Sequence, residues 1–223
     1  ISMIPYGADD VSVRDFDELE RLGVEPHRFY SVIARPEPEN SILEIRQAYS
    51  AQPGGIELIV LGNYKPESNA YHARVMSAAS PEVRFVGAIY DPAVVQALRS
   101  NGVFYLHGHR VGGTNPSLLE PMGAGHPIIA HDNEFNRWVA ADGAAYFIDT
   151  TSCAQHIERL LRNPQERDRM GRAELARLRK TFAWDGVLPA YAALLTDVHC
   201  WYHGRPSWPR LLAPHAQEGE LSQ

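Results

Sequence analysis

The chain has 223 residues, with 21 Lys and Arg against 27 Asp and Glu and a formal net charge of −6. That length suits one large domain or two small ones with a substantial core, and the acidic balance gives no overall pull towards nucleic acid, so no nucleic-acid partner is expected. The longest apolar runs, IELIVL, VFYL and PIIA, fall far below the ~20 residues a bilayer core requires. Cys153 and Cys200 cannot build a disulfide framework, and no CxxC pair exists to hold zinc or do redox work. The start, ISMIPYG, lacks the basic residues and long apolar run of a secretory signal, so the reading is a cytoplasmic protein. The chain opens on Ile1 rather than Met, as a fragment would.

In chain order, segment 1–27 reads as irregular apart from a short acidic helix around Asp15–Leu22. Strands are then expected at 29–34, 56–62, 83–87, 103–107, 126–130 and 144–149, mostly continuous in apolar character rather than alternating. That suits parallel strands covered on both faces. Segment 39–51 places Ile42, Ile45, Ala48 and Tyr49 on one helical face. Asp91-Pro92 reads as an N-cap and first helical position, with Gly102 just past the end. Asn115-Pro116 repeats the start signal, and Pro121 should bend or end that helix within a few residues. Three late helices are expected at about 152–162, 165–181 and 185–201, with Asn163-Pro164 as a break, before an extended tail from His203 to Gln223. Strands and helices in alternation predict an α/β fold: a Rossmann-like, doubly wound parallel sheet of about six strands. Ligands of such sheets bind beyond the carboxyl ends of the strands.

Two loops in that position carry chemistry. In HGHRVGGTNPSLLE, Gly112 and Gly113 let the backbone turn tightly, and Thr114 and Asn115 lead into a helix whose free N–H groups form an anion site. Glu120, one helical turn further, is placed to accept hydrogen bonds from sugar hydroxyls. The alternative is a plain strand-to-helix turn with a structural glutamate. In IARPEPEN, Arg35 ends the first strand, where a guanidinium can grip phosphate; the alternative is pairing with Glu37 or Glu39. Together, on one sheet edge, they suit a shared diphosphate. No GxGxxG follows the first strand and no GxxxxGK[ST] occurs. His107 and His109 fall on one face of a strand, but no further ligands complete a metal set, so local structure or substrate contact is the reading. There is no GxSxG nucleophile signature.

The stretches IPYGAD, SVIARPEPENSILEIRQAY, FVGAIYD and YLHGHRVGGTNPSLLEPMGAGHPIIAHDNEFNR resemble the carboxyl-terminal half of family-4 retaining glycosyltransferases of the GT-B fold, in the rhamnosyltransferase-like subgroup that builds bacterial surface polysaccharides. The resemblance covers residues 1–202. It implies a hinge remnant at 1–27, a donor-binding domain at 28–202 and a tail at 203–223. It also implies transfer of a hexosyl or deoxyhexosyl group from a nucleoside-diphosphate sugar to a glycan or lipid-linked acceptor, with retention. Arg35 matches the diphosphate-binding arginine. Asn40 stands where the family carries a lysine, which leaves one positive charge missing from the phosphate clamp. Glu120 matches the second glutamate of the E-x7-E motif, which holds the ribose, so Arg35 and Glu120 are the implied catalytic pair. The first glutamate falls at Gly112, so contact with the donor sugar passes to His109 and Arg110. Backbone amides of Gly113, Thr114 and Asn115 should meet the phosphates. Gly87, Ala88, Ile89 and Tyr90 should border the base, and Gly62 and Asn63 the floor.

The family's amino-terminal acceptor domain is not part of the sequence, and without it the chain is expected to transfer nothing. Its bare cleft wall would favour self-association. Metal independence, no cofactor and a location in the cytoplasm or at the inner face of a membrane are further expectations. Rival readings are half of a nucleotide-sugar 2-epimerase and a non-catalytic nucleotide-sugar-binding module.

Overall fold

The computed structural model describes residues 3–11, 16–51, 54–77 and 79–204. Six strands, β1 (Phe29–Ile33), β2 (Glu57–Leu61), β3 (Val83–Gly87), β4 (Tyr105–His107), β5 (Ile128–His131) and β6 (Ala144–Phe147), form one sheet in the order β3-β2-β1-β4-β5-β6. Every neighbouring pair is parallel. β2 and β4 are buried almost throughout, whereas the edge strands β3 and β6 are only partly covered. Continuous apolar runs therefore mark the inner strands. The strand order reverses between β1 and β4, and in sheets of this kind the loops after those two strands part to leave a crevice.

Nine helices among the described residues flank the sheet: α1 (Asp17–Arg21), α2 (Ile42–Ser50), α3 (Ala70–Ser77), α4 (Pro92–Asn101), α5 (Pro116–Gly123), α6 (Glu134–Ala140), α7 (Thr150–Arg162), α8 (Pro164–Thr181) and α9 (Trp184–Tyr202). The expected caps are in place: Asp91 accepts from the Ala93 amide at 3.0 Å, and Asn163 from the Glu166 amide at 3.0 Å. Helix α5 runs past Pro121 for two residues and ends at Gly123.

Two boundaries and two helices differ most from expectation. The 39–51 helix is interrupted by Ser41, whose φ of 49° separates a 3-10 turn, Pro38–Asn40, from α2. The 144–149 strand stops at Phe147 because Asp149 is drawn into a capping box with Ser152 that opens α7. Helices α3 and α6, not foreseen, are opened by Asn69 and Asn133, whose side chains take the Tyr71 and Asn136 amides, each at 2.9 Å. Residues 12–15 and 205–223 lie outside the described residues, so the start of the acidic helix and most of the tail do too.

Alternation along the strands divides the core between two faces. Tyr30, Val32, Leu58, Val60 and Leu106 pack with Ile45 and Tyr49 of α2 and Ile157 and Leu160 of α7. On the other face Tyr105, Ile128 and Ala130 meet Leu118, Leu119 and Met122 of α5 and Leu178 of α8. Phe29, Ile59 and Leu61 meet Leu19 of α1 and Leu98 of α4. Segment 3–11 is tied to α9 by a bridge between Ala8 and Ala183. Along α9, Leu188, Leu195, Val198 and Trp201 are exposed. No described helix is long and apolar enough to cross a membrane.

Candidate functional site

The loop after β1 presents Arg35 at the crevice. Two donors hold its peptide carbonyl, the Asn40 side-chain amide at 2.8 Å and the Glu37 amide at 2.8 Å. The exposed guanidinium makes no hydrogen bond or ion pair among the described residues, so it does not take the alternative of Glu37 or Glu39. Asn40 is 2 % exposed and its amide is committed to the Arg35 carbonyl. In the structure it braces the arginine from behind and also lines the recess that Arg35 lines.

The loop after β4 is fastened to the loop after β1. The Arg110 amide donates to the Glu39 carbonyl at 2.9 Å, and its guanidinium donates to Ser41 Oγ at 2.8 Å and Glu44 Oε1 at 2.6 Å. Arg110 therefore faces α2 and lines none of the recesses along the crevice. The Glu44 carboxylate holds its guanidinium on that side, away from the recesses where donor-sugar contact was expected. Gly108 makes the approach of the two loops possible, since a Cβ there would lie 2.0 Å from the Asn40 carbonyl oxygen. Behind the loop, Asn133 and Asn136 donate side-chain amides to the His109 carbonyl at 3.0 and 2.9 Å, and both also reach the His131 carbonyl.

The chain then turns through Gly112, whose φ of 117° favours glycine. At the head of α5, Asn115 Oδ1 accepts from the Ser117 amide at 3.1 Å and from Ser117 Oγ at 2.9 Å, while Thr114 Oγ1 accepts from the Tyr6 amide at 3.3 Å. Among the described residues, the N–H groups of Gly113, Thr114 and Asn115 meet no protein acceptor. Open amides at the positive end of an eight-residue helix make an anion site.

A recess of about 420 Å³ joins the two loops, lined by Arg35, Glu39, Asn40, His109, Asn115 and Glu120 among others. Gly112, Gly113 and Thr114 precede Asn115 in the loop and do not line it. Arg35 is also shared with a second recess of about 250 Å³ lined by Gly62, Asn63, Ala88, Ile89 and Tyr90. Gly87, the last residue of β3, has φ 78° and lines neither recess. A third recess, of about 540 Å³, is bordered by Ile89, Tyr90, Arg99 and Glu120. The three share residues and together follow the carboxyl edge of the sheet. A further hollow of about 570 Å³, lined by His27, His126, Arg167 and Arg172, lies at the opposite edge. The carboxyl ends of parallel strands are the ligand edge, and the open amides are there, so we place the site on that side.

Glu120 is half-exposed, and its Oε2 pairs with Arg99 Nη2 at 2.5 Å. Burial raises its carboxyl above the ordinary range and Arg99 opposes that shift. The partner sits on α4, which no sequence signal links to α5. The His109 imidazole is depressed to about 4, chiefly by burial and then by the Arg35 charge, so at neutral pH it is uncharged. His107 is fully buried, its ring stacked on that of His109 with centroids 4.4 Å apart. Among the described residues no cluster of three or more His, Cys, Asp or Glu is placed to hold a metal ion.

A family model described as glycosyl transferases group 1 matches residues 25–177. No curated protein matches the chain. Among solved structures, a sucrose-phosphate synthase from Thermosynechococcus elongatus superposes with a TM-score of 0.76 at 19% identity, over 90% of this chain and 53% of its own. The Anabaena protein HepE in complex with UDP and glucose gives 0.76 at 16% identity, over 88% of this chain and 56% of its own. A glycosyltransferase from Rickettsia africae ESF-5 gives 0.74 at 10% identity, over 88% and 56%. The chain thus spans about half the length of these structures. Its sheet is the Rossmann-like half of a GT-B fold. With the family match running from the strand that presents Arg35 to the helix that packs beneath α5, the chain belongs to the group 1 glycosyl transferases.

Proposed function

We propose that this domain binds the nucleoside-diphosphate-sugar donor of a glycosyl transferase, with the pyrophosphate between Arg35 and the amino end of α5. One observation carries the reading: Arg35, whose guanidinium is unpaired among the described residues, and Asn115 at the head of α5 line one recess at the strand-order reversal, with the open amides of Gly113 and Thr114 in the loop just before it. The ribose then falls against Glu120, whose Oε1 remains available when Arg99 holds Oε2. The base lies along Gly62, Asn63, Ala88, Ile89 and Tyr90. HepE, solved with UDP and glucose, supports a uridine nucleotide as the first probe.

Joined to an acceptor-binding domain, the site would support transfer of a hexosyl or deoxyhexosyl group, rhamnosyl included, to a surface glycan with retention of configuration. As the glycosidic bond breaks, negative charge gathers on the leaving phosphate. The guanidinium and helix amides are already in place to stabilise it, each charge-assisted hydrogen bond contributing about 1.5–3 kcal/mol. Fixed positive groups of this kind can take the part of a metal ion, so UDP affinity is expected to be unchanged by EDTA. A drop on chelation would contradict this.

The testing experiment is calorimetric titration of UDP into wild type and Arg35→Ala. Wild type binds saturably, and the variant is expected to bind at least about tenfold more weakly, the loss of roughly one charge-assisted contact. Because the guanidinium is exposed and unpaired, thermal stability should stay within about 0.5 kcal/mol of wild type. Equal affinities would remove Arg35 from the site.

A further inference from the structure

His109 stands at the recess, and its ring makes no hydrogen bond among the described residues. It follows β4 by two residues, so its side chain lies on the same face as His107, and the two imidazoles stack at 4.4 Å with 12° between their planes. The stack fixes the ring plane, and the two asparagine amides on the His109 carbonyl fix the backbone beneath it. The ring lines the recess that Arg35 also lines.

Its two nitrogens differ. Nδ1 is buried and has no hydrogen-bond partner among the described residues, whereas Nε2 retains access. A neutral imidazole carries one hydrogen. Burying an unmet N–H is more costly than burying an unmet lone pair, as the rarity of orphaned buried N–H groups shows. The hydrogen therefore belongs on Nε2, at the open end of the ring. Protonation of both nitrogens is disfavoured by burial and by Arg35, with Glu39 opposing. His107, stacked on the ring, is itself held neutral, chiefly by burial. The outcome is an uncharged donor, fixed in direction, beside a cation in a recess suited to an anion whose oxygens only accept.

We infer that His109 is a further donor-binding residue, its Nε2–H hydrogen-bonding a non-bridging oxygen of the donor pyrophosphate beside Arg35. The inference rests on the pyrophosphate reading above. Such a bond strengthens as the leaving phosphate gains charge and moves no proton. It also adds directionality without a second positive charge, so release of the nucleoside diphosphate is not slowed by a second cation.

The test titrates UDP and UDP-glucose into wild type, Arg35→Ala, His109→Ala, His109→Asn and His109→Gln, with long-range proton–nitrogen NMR of the wild-type histidine rings. Glutamine sets an amide donor near the reach of Nε2, and asparagine near that of Nδ1. The Ala and Asn variants are expected to lose about five- to tenfold in affinity for both ligands, and Gln to stay within about twofold. The NMR spectrum of free wild type should show His109 with its hydrogen on Nε2. Equal affinities across the three His109 variants, Gln falling as far as Ala, or a hydrogen on Nδ1 would each overturn the inference. If Arg35→Ala weakens binding and the His109 series does not, His109 alone is wrong. If wild type binds neither ligand, both readings fall.

Discussion

Replacing Gly108 by alanine is expected to cost the chain about 1–3 kcal/mol of stability, the range for forcing a methyl group into a filled interior, and to weaken UDP binding on the order of a hundredfold. The added Cβ would lie 2.0 Å from the Asn40 carbonyl oxygen and 2.9 Å from Ile45 Cδ1. The first neighbour is backbone, so the two loops must part. Parting them moves Asn40, which braces Arg35, and breaks the register in which the Arg110 amide meets the Glu39 carbonyl. Both halves of the proposed clamp shift together. Losing two contacts of roughly 1.5 kcal/mol each corresponds to about a hundredfold in affinity. Chemical denaturation and calorimetry measure the two effects. Gly108→Ala with unchanged UDP affinity would show that the spacing of these loops does not govern the site.

The second large effect concerns acid. His107, His109 and His131 are all held below the ordinary imidazole value, chiefly by burial. Between about pH 6.5 and the depressed native values, the unfolded chain binds more protons than the folded one. The stability contributed by neutral burial is therefore present above pH 6.5 and lost as pH falls below it, at up to about 1.4 kcal/mol per pH unit for a histidine that stays neutral in the fold. Glu174 acts in the opposite sense. Its carboxyl group is fully buried with both oxygens unpartnered among the described residues and is raised well above the usual range by burial, so its contribution fades as pH rises. The test must therefore be a difference. Relative to His107→Phe, wild type should lose about 2–3 kcal/mol between pH 6.5 and 4.5. Parallel pH profiles for the two proteins would mean that His107 takes up its proton as readily in the fold as in the unfolded chain.

The strands were legible because burial on both faces leaves a run of apolar residues that no solvent-facing position interrupts, as in Leu58–Leu61. The phosphate loop was legible because its chemistry is local: two glycines, an Asn cap and a proline at the first helical position lie side by side in sequence. Helix α3 was not. It is held by His72, whose Nδ1 accepts from the Lys65 amide at 2.9 Å and whose Nε2 meets the Pro36 carbonyl at 3.0 Å, the second contact made across the fold.

Partner choice was illegible for the same reason. Nothing in the spacing says that Arg110 will turn to Glu44 rather than into the crevice, that Asn40 will brace Arg35, or that Arg99 will claim one oxygen of Glu120. Asn133 and Asn136 were not singled out by any motif in the sequence. Their hold on the His109 carbonyl arises because β4 and β5 end side by side. Residue type at a strand end predicts which chemistry is offered there. The direction of each side chain is decided by neighbours from distant parts of the chain.

The most direct measurement is a proton–nitrogen correlation spectrum of the assigned domain titrated with UDP. The account predicts that the largest shifts fall on the Gly113, Thr114 and Asn115 amides and on the Arg35 side-chain Nε–H, all saturating with one affinity. Unmoved signals at those four groups, with shifts instead at His126, Gly171 and Arg172 on the opposite edge, would contradict it.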